Sequence, residues 1–205
     1  LSETFSSLGI NPDTHVVAYD EEGGGKASRL LWTLDVIGHE KHSLLNCGLH
    51  AWANEGHALE QQARLPVASD YKVPLDKNVL ADKNYILKHL ESAHVVFLDS
   101  RTSEEFTGIK KLSARGGHIP HAVNLDWLLT MDKQKNLRLL PDQELNAMLT
   151  ELGIQAEKEV IAYCQSHHRS SHAYIMLKHL GFKNIKGYPG AWSDWGNDPN
   201  TPIET

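Results

Sequence analysis

The chain alternates between short runs of apolar β-formers and longer stretches in which apolar residues recur every three or four positions. Val16-Val-Ala-Tyr19, Val95-Val-Phe-Leu98, Ala122-Val-Asn-Leu125, Val160-Ile-Ala-Tyr163 and a shorter run at 184–187 read as strands. The unbroken apolar character of the runs at 95 and 160 is that of strands buried on both faces of a parallel sheet. Helical spacing recurs at Ala27, Leu30, Leu31, Leu34 and Ile37, and at Tyr85, Ile86 and Leu90 behind the cap Asp82. It recurs again at Leu145, Met148, Leu149 and Leu152 behind Pro141, and at Ala173, Met176, Leu177 and Leu180. Gly38 and Gly181 stand where helices close on a left-handed residue, and a shorter helix begins at Glu104. Strands alternating with helices predict an α/β fold of parallel sheet flanked by helices.

Much of this pattern occurs twice. Leu8-Gly-Ile10 and Val16–Tyr19 match Leu152-Gly-Ile154 and Val160–Tyr163 at one constant offset (160 − 16 = 144). The expected organisation is two similar domains: residues 1–59 as the C-terminal part of an inactive one, 60–81 as a linker, and 82–205 as the active one. Leu1 corresponds to Leu145, whereas the second unit starts near Asp82 (145 − 82 = 63). A further segment of about sixty residues is therefore expected to complete the first sheet, whose edge and apolar face would otherwise stand open. In the linker, Pro66 and Pro74 favour extended chain, and Leu65, Val67, Tyr71 and Val73 suggest a strap packed on the surface.

Candidate chemistry concentrates between the strand at 160 and the helix after it. Cys164 ends the strand and faces the first turn of the helix, where unpaired N–H groups and the positive end of the dipole converge. With Arg169 and two histidines nearby, that setting favours a thiolate, and Cys164 is read as a nucleophile. At the repeat offset Asp20 stands in its place (164 − 20 = 144), with Glu21-Glu-Gly-Gly-Gly25 for the basic loop. A carboxylate cannot do thiolate chemistry, so the first repeat is expected to be silent. Cys47 reads as a packing residue. His168 and His172 lie one helical turn apart, but no further cysteine or acidic ligand completes a metal set.

Composition narrows the field. The 205 residues are 40% apolar with a net charge of −6, a globular balance without a basic arm for nucleic acid. No run of about twenty apolar residues spans a membrane. Two cysteines in unlike settings suggest a reducing compartment, hence a cytoplasmic location.

Four motifs stand in order: Asp99-Ser-Arg101, Gly117-His-Ile-Pro-His-Ala122, Cys164-Gln-Ser-His-His-Arg-Ser170, and Gly187-Tyr-Pro-Gly-Ala-Trp192 followed by Trp195. Together they resemble the rhodanese sulfurtransferases, most closely the bacterial tandem-domain, thiosulfate-using type. The resemblance implies transfer of sulfane sulfur from a small anionic donor such as thiosulfate to a thiophilic acceptor: cyanide, a thiol or an acceptor protein. The sulfur would travel as a Cys164 persulfide, with no separate cofactor. Substrate would be bound by Gln165, Ser166, His167, His168, Arg169 and Ser170, with Asp99, Arg101 and Trp195 in support. Arg169 would be an anion clamp or a structural tie, His167 and His168 would tune charge near pH 6 to 7, and the aromatic turn would roof the loop or cover the domain interface. Two departures concern the substrate: Gln165, Ser166 and Glu105 replace basic residues of vertebrate thiosulfate sulfurtransferases, and the Gly-Ser-Gly-Val-Thr loop of mercaptopyruvate sulfurtransferases is missing. Alternatives are a persulfide carrier serving protein partners and a cysteine-dependent phosphatase or arsenate reductase. The latter use Cys-x5-Arg, whereas Arg169 gives Cys-x4-Arg. His118 reads as a brace, and Lys110, Lys111 and Arg115 as a solvated basic cluster.

Overall fold

The computed structural model describes residues 1–72 and 75–205; Val73 and Pro74 of the expected strap lie outside the described residues. In chain order the N-terminal part carries α1 (Ser2–Ser7), β1 (Val16–Ala18), α2 (Gly25–Val36), β2 (His42–Leu44) and α3 (Gly48–Asn54). The second part carries α4 (Lys83–His89), β3 (Val95–Asp99), α5 (Ser103–Phe106), β4 (Val123–Asn124), β5 (Met131–Asp132) and β6 (Arg138–Leu139). It ends with α6 (Asp142–Glu151), β7 (Glu159–Tyr163), α7 (Arg169–His179), β8 (Ile185–Gly187) and α8 (Ala191–Trp195).

The larger sheet has the order β4-β3-β7-β8 and is parallel throughout, with Asp99 opposite Tyr163 and Val160 opposite Ile185. Its middle strands are the two apolar runs, which alternate with helices because parallel neighbours need a crossover between them. Asp82 caps α4 by accepting from the Tyr85 N–H at 2.7 Å, and Thr102 and Glu105 form a reciprocal capping box on α5.

The smaller sheet pairs β1 with β2 in parallel. At the offset of 144, β1 falls on β7, α2 on α7, β2 on β8 and α3 on α8. Position in the sheet differs, however. β7 is flanked by two strands, whereas among the described residues β1 has only β2 beside it. Val17 and Tyr19 are accordingly 54% and 57% exposed, although their run reads like its buried counterpart.

Helix α2 packs along α7, and Leu31, Trp32 and Leu34 share one buried cluster with Tyr174, Met176 and Leu177. Each fully buried leucine there contributes roughly 1.5–3 kcal/mol, so the two parts are held by a continuous core. Asp35 of α2 reinforces it by accepting from Lys178 Nζ at 2.7 Å and the Tyr174 hydroxyl at 3.1 Å. From the other side the β5–β6 hairpin grips the N-terminal part: the Leu139 N–H donates to Asn46 Oδ1 at 3.0 Å, and Arg138 pairs with Glu55.

Three expectations need correction. The stretch 60–81 is not all linker, because Leu80 bridges to Gly187 and the Ala81 N–H donates to the Gly187 carbonyl at 3.0 Å. The strap is seated at Ser69 to Tyr71: the Ser69 and Tyr71 N–H groups donate to Ser6, Tyr71 OH meets His39 Nδ1 at 2.9 Å, and the Tyr71 ring joins the buried apolar cluster. Leu65 and Val67 are instead 91% and 89% exposed. Arg115 is no solvated cation, since it donates to the carbonyls of Trp195, Asp198 and Thr201 and ties down the chain after α8.

Candidate active site

Cys164 follows the last residue of β7 and precedes α7, with Gln165, Ser166, His167 and His168 making the turn. The turn is fixed from several sides. From α8, the Trp192 N–H donates to the Cys164 carbonyl at 2.8 Å and the Ser193 N–H to the Gln165 carbonyl at 3.0 Å. His167 sits at φ 61, where a non-glycine residue needs support. Its Nδ1 meets Ser170 Oγ at 2.7 Å, and its ring lies edge-on to Trp32 with centroids 4.4 Å apart. Gly187 leaves the space for that ring, since a Cβ there would stand 2.3 Å from His167 Nε2.

Among the described residues, the backbone N–H groups of Gln165, Ser166, His167 and His168 meet no acceptor. Donors at the head of a helix that the protein leaves unpaired are suited to an anion. The N-terminal part shows the same cradle filled. Asp20 Oδ1 accepts from the N–H groups of Glu22 at 2.9 Å and Gly24 at 2.8 Å, and Oδ2 accepts from Ala27 at 2.9 Å. Burial works against that carboxylate, but the amides outweigh it and hold its pKa below the usual range. These three donors correspond, 144 residues on, to Ser166, His168 and Ser171.

Cys164 itself is only 1% exposed. A donor therefore reaches the sulfur only if the side chains around it, among them the more exposed Gln165, Ser166 and His168, give way. Gln165 donates through Nε2 to Leu112 O at 3.2 Å and Ser113 Oγ at 3.1 Å, joining the rim to the neighbouring loop. Arg169 donates through both terminal nitrogens to Glu105, at 2.6 and 2.9 Å. Burial pushes the Glu105 carboxyl up, yet Arg169 outweighs it and holds it below its ordinary value. Of the two roles open to Arg169, the tie is the one formed. The glutamate that stands out in the sequence as a missing arginine is its anchor.

Other predicted residues fall behind the loop. The Asp99 carboxylate accepts from Arg101 Nε at 3.0 Å, and Arg101 Nη2 also donates to the Gly117 carbonyl at 2.8 Å. Both are buried, with the guanidinium 4.5 Å from the Trp192 ring centroid, so the pair braces the turn. Trp195 is fully buried and donates to the Pro202 carbonyl at 2.8 Å. With Trp192 it packs against Ile86, Phe97 and Tyr163 in a core cluster, so the aromatic turn meets the loop through the backbone of α8 while its indole rings face the core. His167 is a correction as well: buried against Trp32 and near Arg29, it is held well below its ordinary pKa, first by burial, which disfavours the charged form. Ser170 Oγ is taken up by His167. His118 braces through Nδ1 to the Phe106 carbonyl at 2.9 Å. The pattern missed Arg29, whose Nη1 donates to the carbonyls of Ser166 and His167. No periodicity or motif marks it, because its partners lie on another unit.

Residues 82–198 match the family description "Rhodanese-like domain". The chain belongs to the rhodanese-like family. Among curated relatives, this rhodanese is 42% identical over 204 residues to a thiosulfate sulfurtransferase of Azotobacter vinelandii, covering 100% of the chain and 74% of the relative. It is 31% identical over 215 residues to the sulfur carrier protein TtuD of Thermus thermophilus, covering 98% of the chain and 75% of that protein. Among solved structures, the anaerobic ergothioneine biosynthesis enzyme from Chlorobium limicola in complex with trimethyl histidine superposes with a TM-score of 0.88 at 22% identity. That match covers 99% of the rhodanese chain and 54% of the other, so the chain spans about half of that structure; at this identity it speaks to the fold alone. Among the described residues no helix is long and apolar enough to cross a membrane.

Proposed function

We propose that this rhodanese is a thiosulfate sulfurtransferase that works through a persulfide on Cys164. In the first step the Cys164 thiolate attacks the outer sulfur of thiosulfate. An S–S bond forms on the enzyme, the donor's S–S bond breaks, and sulfite leaves with the bonding pair. In the second step cyanide or a thiolate attacks the outer sulfur of the persulfide, and the Cys164 thiolate is released. Negative charge stays on sulfur beneath the loop throughout, so preset amide donors stabilise it with little reorganisation. One observation carries the reading: the donors around Asp20 are satisfied by a carboxylate, while the loop donors next to Cys164 are left without an acceptor.

Residues 1–59 are proposed to be a silent copy of the catalytic unit's C-terminal half, and a reducing compartment such as the cytoplasm suits a thiol that must stay reduced between turnovers. The engagement of Arg169 by Glu105 favours sulfur transfer over phosphate ester cleavage, which needs a free guanidinium on the oxyanion. The likeness to a sulfur carrier protein supports a second acceptor class, a protein thiol. The test is intact mass after thiosulfate: a gain of one sulfur atom on Cys164, removed by cyanide with thiocyanate released. Turnover without that gain, or a gain mapped to Cys47, would refute the proposal.

A further inference from the structure

Arg29 lies on α2, outside the unit that carries Cys164, yet its Nη1 donates to the carbonyl oxygens of Ser166 at 3.2 Å and His167 at 3.1 Å. The guanidinium is 4.9 Å from the centroid of the Trp32 ring, which in turn contacts His167. A trans peptide carries its C=O and N–H on opposite sides. A cation that draws the Ser166 and His167 carbonyls outward therefore turns the N–H groups of His167 and His168 inward, where no acceptor of the protein meets them.

The surrounding charges make this cation distinctive. Arg169 is paired with Glu105 of α5, and Arg101 with Asp99 at the end of β3. Arg29 makes no ion pair among the described residues. Burial works against its charge, and a Cys164 anion supports it.

We propose that Arg29 is a positioning residue for sulfur transfer. It orients and polarises two peptide units of the catalytic loop from outside and supplies the uncompensated positive charge beside the Cys164 sulfur. The N-terminal unit, silent in chemistry, then contributes to the site across the α2–α7 contact. Asp20 anchors the start of α2 and so sets the place from which Arg29 reaches. This rests on Cys164 being the sulfur carrier.

The test uses the full chain with Arg29→Met and Arg29→Lys. Iodoacetamide alkylation of Cys164 is followed from pH 5 to pH 9, alongside thiosulfate:cyanide turnover and thermal melting. Removing a charge-assisted hydrogen-bond donor is expected to lower kcat/KM and the alkylation rate at neutral pH by about tenfold in the methionine variant. Its alkylation profile should move to higher pH. The lysine variant, which keeps the charge but not the fork, should recover most of the profile and part of the turnover. An unchanged profile in a folded methionine variant overturns the proposal even if turnover falls, because that result marks a merely structural arginine. If the methionine variant does not fold, Arg29→Gln is judged by the same two measurements. Failure of the underlying reading shows separately, as turnover that survives Cys164→Ala.

Discussion

The loops after β1 and β7 are built on one plan and differ in what sits at the centre. At Asp20 the protein supplies its own anion, and amide hydrogens close on it at 2.8–2.9 Å. After Cys164 the N–H groups of Ser166 and His168 meet no acceptor among the described residues, while that of Ser171 donates to the His168 carbonyl at 3.1 Å. A carboxylate saturates the cradle and makes it a structural lock, whereas a thiol leaves it free to hold charge that comes and goes. The histidines differ in the same sense. His172, equivalent to Ser28 (172 − 28 = 144), is buried against Trp127 and is pushed down to about 4 by burial, with the Asp20 charge opposing the shift. Burial thus keeps this imidazole uncharged at neutral pH, while the charges at the α2–α7 contact are those of Asp35, Lys178 and Arg29.

The largest expected effect breaks the comparison at its centre. Cys164→Ala should lower thiosulfate:cyanide turnover by more than about a thousandfold, the scale of losing a nucleophile. In that background Asp20→Cys should take up no sulfur from thiosulfate, because Glu21 and Glu22 repel the anionic donor. Thiocyanate colorimetry and intact mass decide, and restored sulfur loading would show that the central residue alone makes a loop active.

The interface histidine is tested by acid. The folded His172 binds its proton less tightly than the unfolded one, whose ordinary pKa is 6.5. Its contribution is fully present above pH 6.5 and is lost as pH falls toward 4, amounting to roughly 3 kcal/mol. Buried His167 acts in the same direction. Urea midpoints measured across that window should fall with pH, and His172→Phe should flatten the dependence. A dependence unaltered by His172→Phe would remove the buried neutral imidazole from the account.

Opening the filled cradle comes next. Asp20→Ala strands amide donors and should cost about 2 kcal/mol in chemical denaturation, with Asp20→Asn about half as damaging. An Asp20→Ala variant as stable as the parent would mean that the carboxylate is no lock. The smallest effect is expected at Cys47, whose thiol is buried at the start of α3 and pushed up by burial. Cys47→Ala should lower stability by about 1 kcal/mol and leave turnover unchanged.

Much of this was legible in the chain because the information is local. Apolar runs and helical spacing placed β3, β7, α2 and α7, and the fixed offset of 144 exposed the duplicated plan and Asp20 opposite Cys164. What sequence could not place were partners brought together by packing. Glu105 looked like a lost cation until α5 put it on Arg169, Trp195 looked like a roof until the core enclosed it, and Arg29 carried no signal at all. The residues themselves determined which side chain could act as nucleophile and which could not, since that follows from thiol against carboxylate at one position of a repeat. Only the tertiary structure decided which charges meet that sulfur, because the arginine on α2 and the carbonyls it holds are separated by 137 and 138 positions in the chain and joined by helix packing alone.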